Sequence, residues 1–284
     1  MSCRINKKRI WMHRLILEAI DHEVSSFCTL TYTDENLPEK HSLRPADSRN
    51  FLKRLRKHME PSKLRYFLVG EYGDETERPH YHAALFGYPH CQYGQTRYTK
   101  LKVNCCENCD TIRRIWGYGN IYLGDLNNES AAYVAGYVTK KLTSANDERL
   151  GERHPEFARM SNRPGIGANF VPDIADSLLR NPEVLAREHD VPSSLRHGTR
   201  VLPLGRYLRG KLRQQTGVSI DGKAPQETLA KMEEKLLPMR ALAYSYAPPG
   251  LKAFAFRNEV IASGDASRAR VEHLAKLYKQ KRHL

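Results

Sequence analysis

His80 and His82 stand one residue apart in HYHAALF, a run of strand-forming type. In an extended chain, side chains at i and i+2 point to one face. Two imidazoles on one face can chelate a divalent ion and leave positions open for a phosphate oxygen. Histidines at this spacing are also common as half-buried polar residues, so the chemistry needs a third ligand. Glu71 ends the preceding run RYFLVGEY, and a hairpin would return it beside His80. A carboxylate oxygen suits Mg²⁺ or Mn²⁺ alongside imidazole. Asp74, Glu75 and Glu77 compete for that place, but they fall in the intervening turn.

Tyr133 and Tyr137 form the second set, in ESAAYVAGYVTKKL. On a helix, i and i+4 share a face. At about 100° per residue, Lys140 and Lys141 flank that face, while Ala131, Ala135, Val138 and Leu142 lie opposite. A phenol with an ordinary pKa near 10 is a poor nucleophile at neutral pH. A neighbouring ammonium group favours the phenolate, and a metal polarises the phosphate under attack. The product would be a 5′-phosphotyrosine on DNA and a free 3′-hydroxyl. That linkage keeps the phosphodiester energy, so rejoining needs no ATP, and two tyrosines permit two successive transfers.

A third cluster falls between these sets. His90, Cys91, Cys105, Cys106 and Cys109 include a Cys-x-x-Cys pair, a spacing found in structural zinc sites. Cys91 is a candidate third ligand, and His90 or Cys105 a candidate fourth. The remaining cysteines are Cys3 and Cys28. A near-match to a phosphate-binding loop, Gly205 to Leu212, ends in leucine where a hydroxyl is needed, so it reads as a basic helix without ATPase chemistry.

These residues need a frame. Residues 6–22 read as a basic amphipathic helix with Met12, Leu15, Ala19 and Ile20 on one face. Residues 26–33, 65–72, 80–86 and 119–124 read as strands. A helix capped at Asp47 or Ser48 runs to Met59, apolar at Phe51, Leu52, Leu55 and Met59 and basic at Lys53, Arg54, Arg56 and Lys57. A further helix spans 129–143. The short connection between the middle strands predicts an antiparallel hairpin, and the order predicts an α+β fold with helices packed on an antiparallel sheet. A shift toward Pro, Asn, Arg and short helical patterns divides the chain near residue 145. Residues 1–145 form the expected nuclease domain with a cysteine-containing insert at 88–118, and residues 146–284 a basic, mostly helical region ending in an amphipathic helix.

The balance of 46 Lys+Arg against 32 Asp+Glu gives a formal charge of +14, which points to a polyanionic partner, nucleic acid first. No apolar run approaches a membrane span, and the basic N-terminus has no signal-like apolar stretch. A cytoplasmic protein without a membrane partner is expected.

Together these residues resemble the HUH superfamily of endonucleases, with Tyr81 as the bulky middle residue. FCTLTYTD (27–34), RYFLVGEYGDETERPHYHAALFG (65–87) and ESAAYVAGYVTKKL (129–142) stand in the order of its three motifs. The paired tyrosines with trailing lysines look like those of the replication initiators of microviruses, small single-stranded DNA bacteriophages. CRINKKRIW (3–11), SAAYVAGYVTKK (130–141) and PEFARMSNRPGIG (155–167) are similar to the gokushovirus branch. That branch carries a paired cysteine motif before the first segment, of which only Cys3 stands here. The resemblance implies a five-stranded antiparallel sheet with the two-histidine strand central, and a helical C-terminal extension. It implies His80, His82 and Glu71 as metal ligands, Tyr133 and Tyr137 as alternating nucleophiles, and Lys140 and Lys141 as phosphate-holding groups. Tyr137 has the Tyr-x-x-Lys context through Lys140, whereas Gly136 stands in that place for Tyr133. The implied activity is metal-dependent nicking and rejoining of single-stranded origin DNA in rolling-circle replication. It would work in the cytoplasm of a bacterial host, beside a host helicase. Two alternatives are a single-strand transposase, which needs one tyrosine and a shorter chain, and a non-enzymatic nucleic-acid-binding protein. Relaxases place the tyrosine before the histidines, the reverse of this order.

Overall fold

In the computed structural model the described residues are 2–73, 75–97, 105–137 and 148–263, with positions 266 and 269. β-Branched and aromatic runs supply strands β1 (Ser25–Thr31), β2 (Arg65–Tyr72), β3 (Pro79–Phe86), β4 (Ile121–Asp125) and β5 (Phe157–Met160). They form one antiparallel sheet in the order β4-β1-β3-β2-β5, so the two-histidine strand is central as expected. The hairpin of β2 and β3 sets Glu71 opposite His80 and Val69 opposite His82. The fifth strand comes from residues 157–160, so the sheet draws on both sides of the division expected near residue 145.

Strand alternation gives the sheet two different faces. Tyr81, Ala83, Leu85, Leu30 and Leu68 face helices α2 (Pro45–Met59) and α3 (Glu107–Trp116), packing with Phe51, Leu55, Ile112 and Trp116. The other face carries Phe27, Phe67, Val69, Ala84 and Phe86. It is covered by α1 (Ser2–Ile20) through Met12, Leu15 and Ala19, and by α4 (Asn128–Tyr137) through Ala131, Val134 and Ala135. Ile20, expected on the apolar face of α1, is exposed, and Leu17 is buried in its place against the C-terminal region. The tyrosine helix is described as far as Tyr137, and the remainder of the expected span to 143 lies outside the described residues.

Beyond β5 come α5 (Val171–Arg180), α6 (Pro182–Glu188), the hairpin β6 (Ser194–His197) and β7 (Arg200–Pro203), α7 (Gly205–Thr216) and α8 (Gln226–Tyr246). A further helical segment follows at 252–263. Residues 205–212 thus open a helix, as their basic amphipathic pattern suggests. Helix α1 is the tie between the halves. Its Arg9 donates to the Val201 carbonyl at 2.8 Å, and its Arg14 to the Ile166 carbonyl at 2.9 Å. His13, fully buried, reaches the Pro203 carbonyl at 2.9 Å and His197 at 2.8 Å. Glu18, also fully buried, pairs with Arg65 and accepts from the Gly167 N–H. No helix of the described residues is long and apolar enough to cross a membrane.

Gly119 shows how closely the β4 approach is fitted. A Cβ there would lie 2.4 Å from the Thr31 carbonyl oxygen and 2.6 Å from the Thr33 nitrogen. Gly119→Ala is expected to cost about 1–3 kcal/mol by overpacking against backbone. The check is a lower denaturant midpoint at unchanged slope, and an unchanged midpoint would mean that the strand entry has room to give.

Candidate functional site

The β2–β3 register brings the three expected ligands together. Glu71 Oε1 lies 2.9 Å from His80 Nε2 and 2.9 Å from His82 Nε2. Glu71 and His82 are buried and His80 is partly exposed, so the trio opens toward solvent on one side. Of the competing acids, Glu75 and Glu77 are exposed, Glu77 pairs with Arg153, and Asp74 lies outside the described residues.

Hydrogen-bond accounting shows what the trio needs. His80 Nδ1 lies 3.0 Å from the Arg78 carbonyl oxygen, which can only accept, so that nitrogen carries a proton. In the neutral tautomer Nε2 then presents a lone pair to the Glu71 carboxylate. Two acceptors at 2.9 Å repel each other unless positive charge sits between them, either a second proton on the ring or a cation. His82 is oriented the same way by Thr29, whose Oγ1 lies 2.8 Å from Nδ1. Such outer hydrogen bonds fix ring orientation at metal centres. Two ligands about 2.1 Å from a Mg²⁺-like ion in adjacent octahedral positions are about 3 Å apart, close to the spacing observed. The three ligand atoms lie within 4.8 Å of one another, so this donor set fits a small hard divalent cation.

Tyr133 and Tyr137 project from α4 over this trio. The Tyr137 ring stacks on His82, with centroids 5.0 Å apart and planes 14° apart. Tyr133 meets His82 edge-on at 5.2 Å and Tyr137 edge-on at 4.9 Å. The wet face expected for both phenols is only half right. Tyr133 is 50% exposed, whereas Tyr137 is partly covered and its phenol reaches Tyr133 and Glu71. Burial, then the Tyr133 and Glu71 contacts, push the Tyr137 phenol well above its ordinary pKa. It therefore stays protonated until positive charge arrives. Lys140 and Lys141 lie outside the described residues.

Tyr81, between the two histidines, belongs to the opposite face. It is fully buried, and its hydroxyl exchanges hydrogen bonds with the Arg44 backbone and Tyr32. Burial pushes its phenol up to about 12. Sequence reading missed two neighbours of the site. Glu156, buried ahead of β5, and Lys7 of α1 line the same 280 Å³ hollow as Glu71 and Tyr137. Lys8 also reaches α4, since a Cβ on Gly136 would lie 3.5 Å from its Nζ.

The cysteines form a second constellation in the insert. The sulfurs of Cys91, Cys105, Cys106 and Cys109 lie within 4.8 Å of one another. Cys91 Sγ is 3.6 Å from Cys105 Sγ and 3.7 Å from Cys106 Sγ. Four thiolates about 2.3 Å from a tetrahedral zinc ion would be about 3.8 Å apart, so the set fits zinc. Cys105 is the fourth member. His90 is exposed and stands outside the cluster, which removes it as a ligand. Burial pushes the Cys91 and Cys109 thiols up. Burial opposes ionisation of Cys106 too, yet the Cys109 and Gln92 N–H groups aimed at it bring that thiol below its usual range.

Residues 25–142, which hold the sheet's first four strands and all of these groups except Glu156 and the lysines of α1, match the replication-associated protein ORF2 family. The chain is 33% identical over 178 residues to replication-associated protein VP4 of Bdellovibrio phage phiMH2K, covering 60% of this chain and 55% of that protein. It is 29% identical over 231 residues to replication-associated protein ORF2 of Spiroplasma virus 4, covering 76% and 66%. It is 25% identical over 227 residues to replication-associated protein ORF4 of Chlamydia phage 1, covering 78% and 53%. The matched stretches thus span 53–66% of the length of these relatives. No solved structure matches.

Proposed function

This chain belongs to the replication-associated protein ORF2 family through residues 25–142, and from that membership we propose that it nicks and rejoins single-stranded DNA as a rolling-circle replication initiator. The observation that carries the reading is the stacking of Tyr137 on His82 directly above the Glu71 trio. His80, His82 and Glu71 would hold Mg²⁺ or Mn²⁺. A divalent cation held there polarises a phosphate oxygen and lowers the barrier to attack. The Tyr137 oxygen attacks phosphorus, the bond from phosphorus to the 3′-oxygen breaks, and a 3′-hydroxyl leaves with a proton. The 5′-phosphate is then held on tyrosine. Reversal with a different 3′-hydroxyl rejoins the strand without ATP. Tyr133, edge-on to Tyr137 and more exposed, serves the second transfer. Lys140, Lys141 and Lys7 supply charge to the phosphate, and Thr29 orients His82. The expected partners are origin DNA and a host helicase, in the cytoplasm of the bacterial host.

The test is to incubate the protein with Mn²⁺ and single-stranded origin DNA and to sequence the 5′ end that becomes attached to protein. A covalent adduct on one defined nucleotide supports the reading. Metal-dependent cleavage without an adduct would assign the site to hydrolysis instead.

The four cysteines would hold structural zinc and pin the insert to α3. Metal analysis of purified protein is expected to find one zinc per chain. Cys109→Ser is expected to lower stability by about 2 kcal/mol or more. A folded chain without zinc overturns the assignment.

A further inference from the structure

The face of the sheet away from the histidines carries an unneutralised basic groove. Helix α2 presents Arg49, Lys53, Arg56 and Lys57 toward β5, where Arg159 points to the same side, being paired with rear-facing Leu68. These five cations line a hollow of about 410 Å³ in which Glu60 is the one carboxylate. Arg49, Lys53, Lys57 and Arg159 are exposed, and none of the five makes a salt bridge among the described residues. Arg56 lies over the Tyr66 ring at 5.0 Å, and Arg159 over Phe157 at 5.4 Å. Like charges gathered without counterions repel, and a polyanion relieves that repulsion.

The hollow has an outlet. A second one, of about 860 Å³, shares Arg56, Glu60 and Tyr66 with it and continues past Lys63 to Arg163. That second hollow also touches Arg65 and Met160, whose side chains belong to the histidine face. The two together make a continuous basic path that turns around the end of β2 and β5, from one face of the sheet to the other.

We propose that this groove binds the phosphodiester backbone of DNA outside the segment held at Tyr137 and the histidines. The binding is independent of base sequence, because the lining supplies cations and few groups that could read base edges. This inference rests on the nicking reading only in taking DNA as the ligand. The function it adds is retention: a second grip holds the molecule while the first exchanges ends.

The test measures fluorescence anisotropy in a His80→Ala, His82→Ala background, so that no cleavage intervenes. The probes are a short single-stranded oligonucleotide, the same oligonucleotide with a single-stranded extension, and the same with a duplex extension. The variant is Arg49→Glu with Lys53→Glu and Lys57→Glu, and the Gln series at the same positions repeats it without charge reversal. The extended probe is expected to bind roughly 10- to 100-fold more weakly to the charge-reversed protein, with a salt slope smaller by roughly two. The short probe should change less than about twofold, and the Gln series should lie between. Whichever extension shows the loss names the form of DNA in the groove. Equal weakening of short and extended probes, or no weakening, overturns the proposal. Covalent adduct formation by the otherwise wild-type chain is scored separately. Its failure with extension-dependent binding intact would remove the nicking reading and leave the groove standing.

Discussion

Tyr137→Phe is expected to abolish covalent attachment to DNA, with strand transfer falling on the order of 10³-fold or more. The change removes one oxygen and keeps the ring that stacks on His82 at 5.0 Å, so the fold and the trio should be undisturbed. Tyr133→Phe should retain the first adduct and fail in the second transfer, since Tyr133 is the more exposed phenol at the edge of the site. Peptide mapping of the trapped adduct decides between the two. An adduct on Tyr133 in the wild-type chain, or undiminished adduct in Tyr137→Phe, would reverse the assignment. The raised pKa of Tyr137 adds a dependence. A phenol held protonated by burial and by a carboxylate gains nucleophilicity only when positive charge enters the site, so attachment should vanish on chelation rather than decline gradually.

Loss of the trio is expected to be nearly as severe. His80→Ala with His82→Ala, or Glu71→Ala alone, should reduce metal-dependent cleavage by about 10²–10⁴-fold, the equivalent of several kcal/mol of charge stabilisation. Thr29→Val should act more mildly, by about 10- to 100-fold, because it only releases the His82 ring from its orienting partner. A graded series, with affinity for Mn²⁺ falling in step with activity, is the expected outcome. Full cleavage by the histidine double variant would place the metal, or the chemistry, elsewhere. The electrostatics give a further check. Glu71→Gln removes the charge that confronts the two Nε2 atoms, so it should weaken metal binding while leaving the hairpin folded.

Much of this site is legible in the sequence because it is built from local periodicity. The i, i+2 spacing of the histidines, the short β2–β3 connection and the i, i+4 spacing of the tyrosines each fix a direction. Together they place Glu71, His80, His82, Tyr133 and Tyr137 in one patch. What the sequence hides is non-local or too short to show a period. Strand β5 is FARM, four residues whose strand character comes from pairing with β2 some ninety positions earlier in the chain. Glu156 joins the site only because that pairing carries it in, and its carboxylate accepts the Tyr72 N–H at 3.3 Å. Lys7 reads as part of a generic basic helix until α1 is laid across the sheet. The cysteines teach the opposite lesson about adjacency. Sequence neighbours are poor chelating partners in most backbones, yet Cys105 and Cys106 both approach Cys91, and Cys106 does so in extended conformation just ahead of α3.

The position of α1 has a consequence for how the chain is made. These are among the first residues to leave the ribosome, yet their buried polar groups are completed by some of the later ones. His13 waits for Pro203 and His197, Arg14 for Ile166, and Glu18 for Gly167. Until about two hundred residues have been synthesised, the helix that roofs the histidine face lacks part of its wall. Contacts of such wide sequence separation slow folding and leave apolar surface open in the meantime. The nascent chain would thus carry an unfinished site through most of its translation, with tyrosines and histidines assembled only near the end.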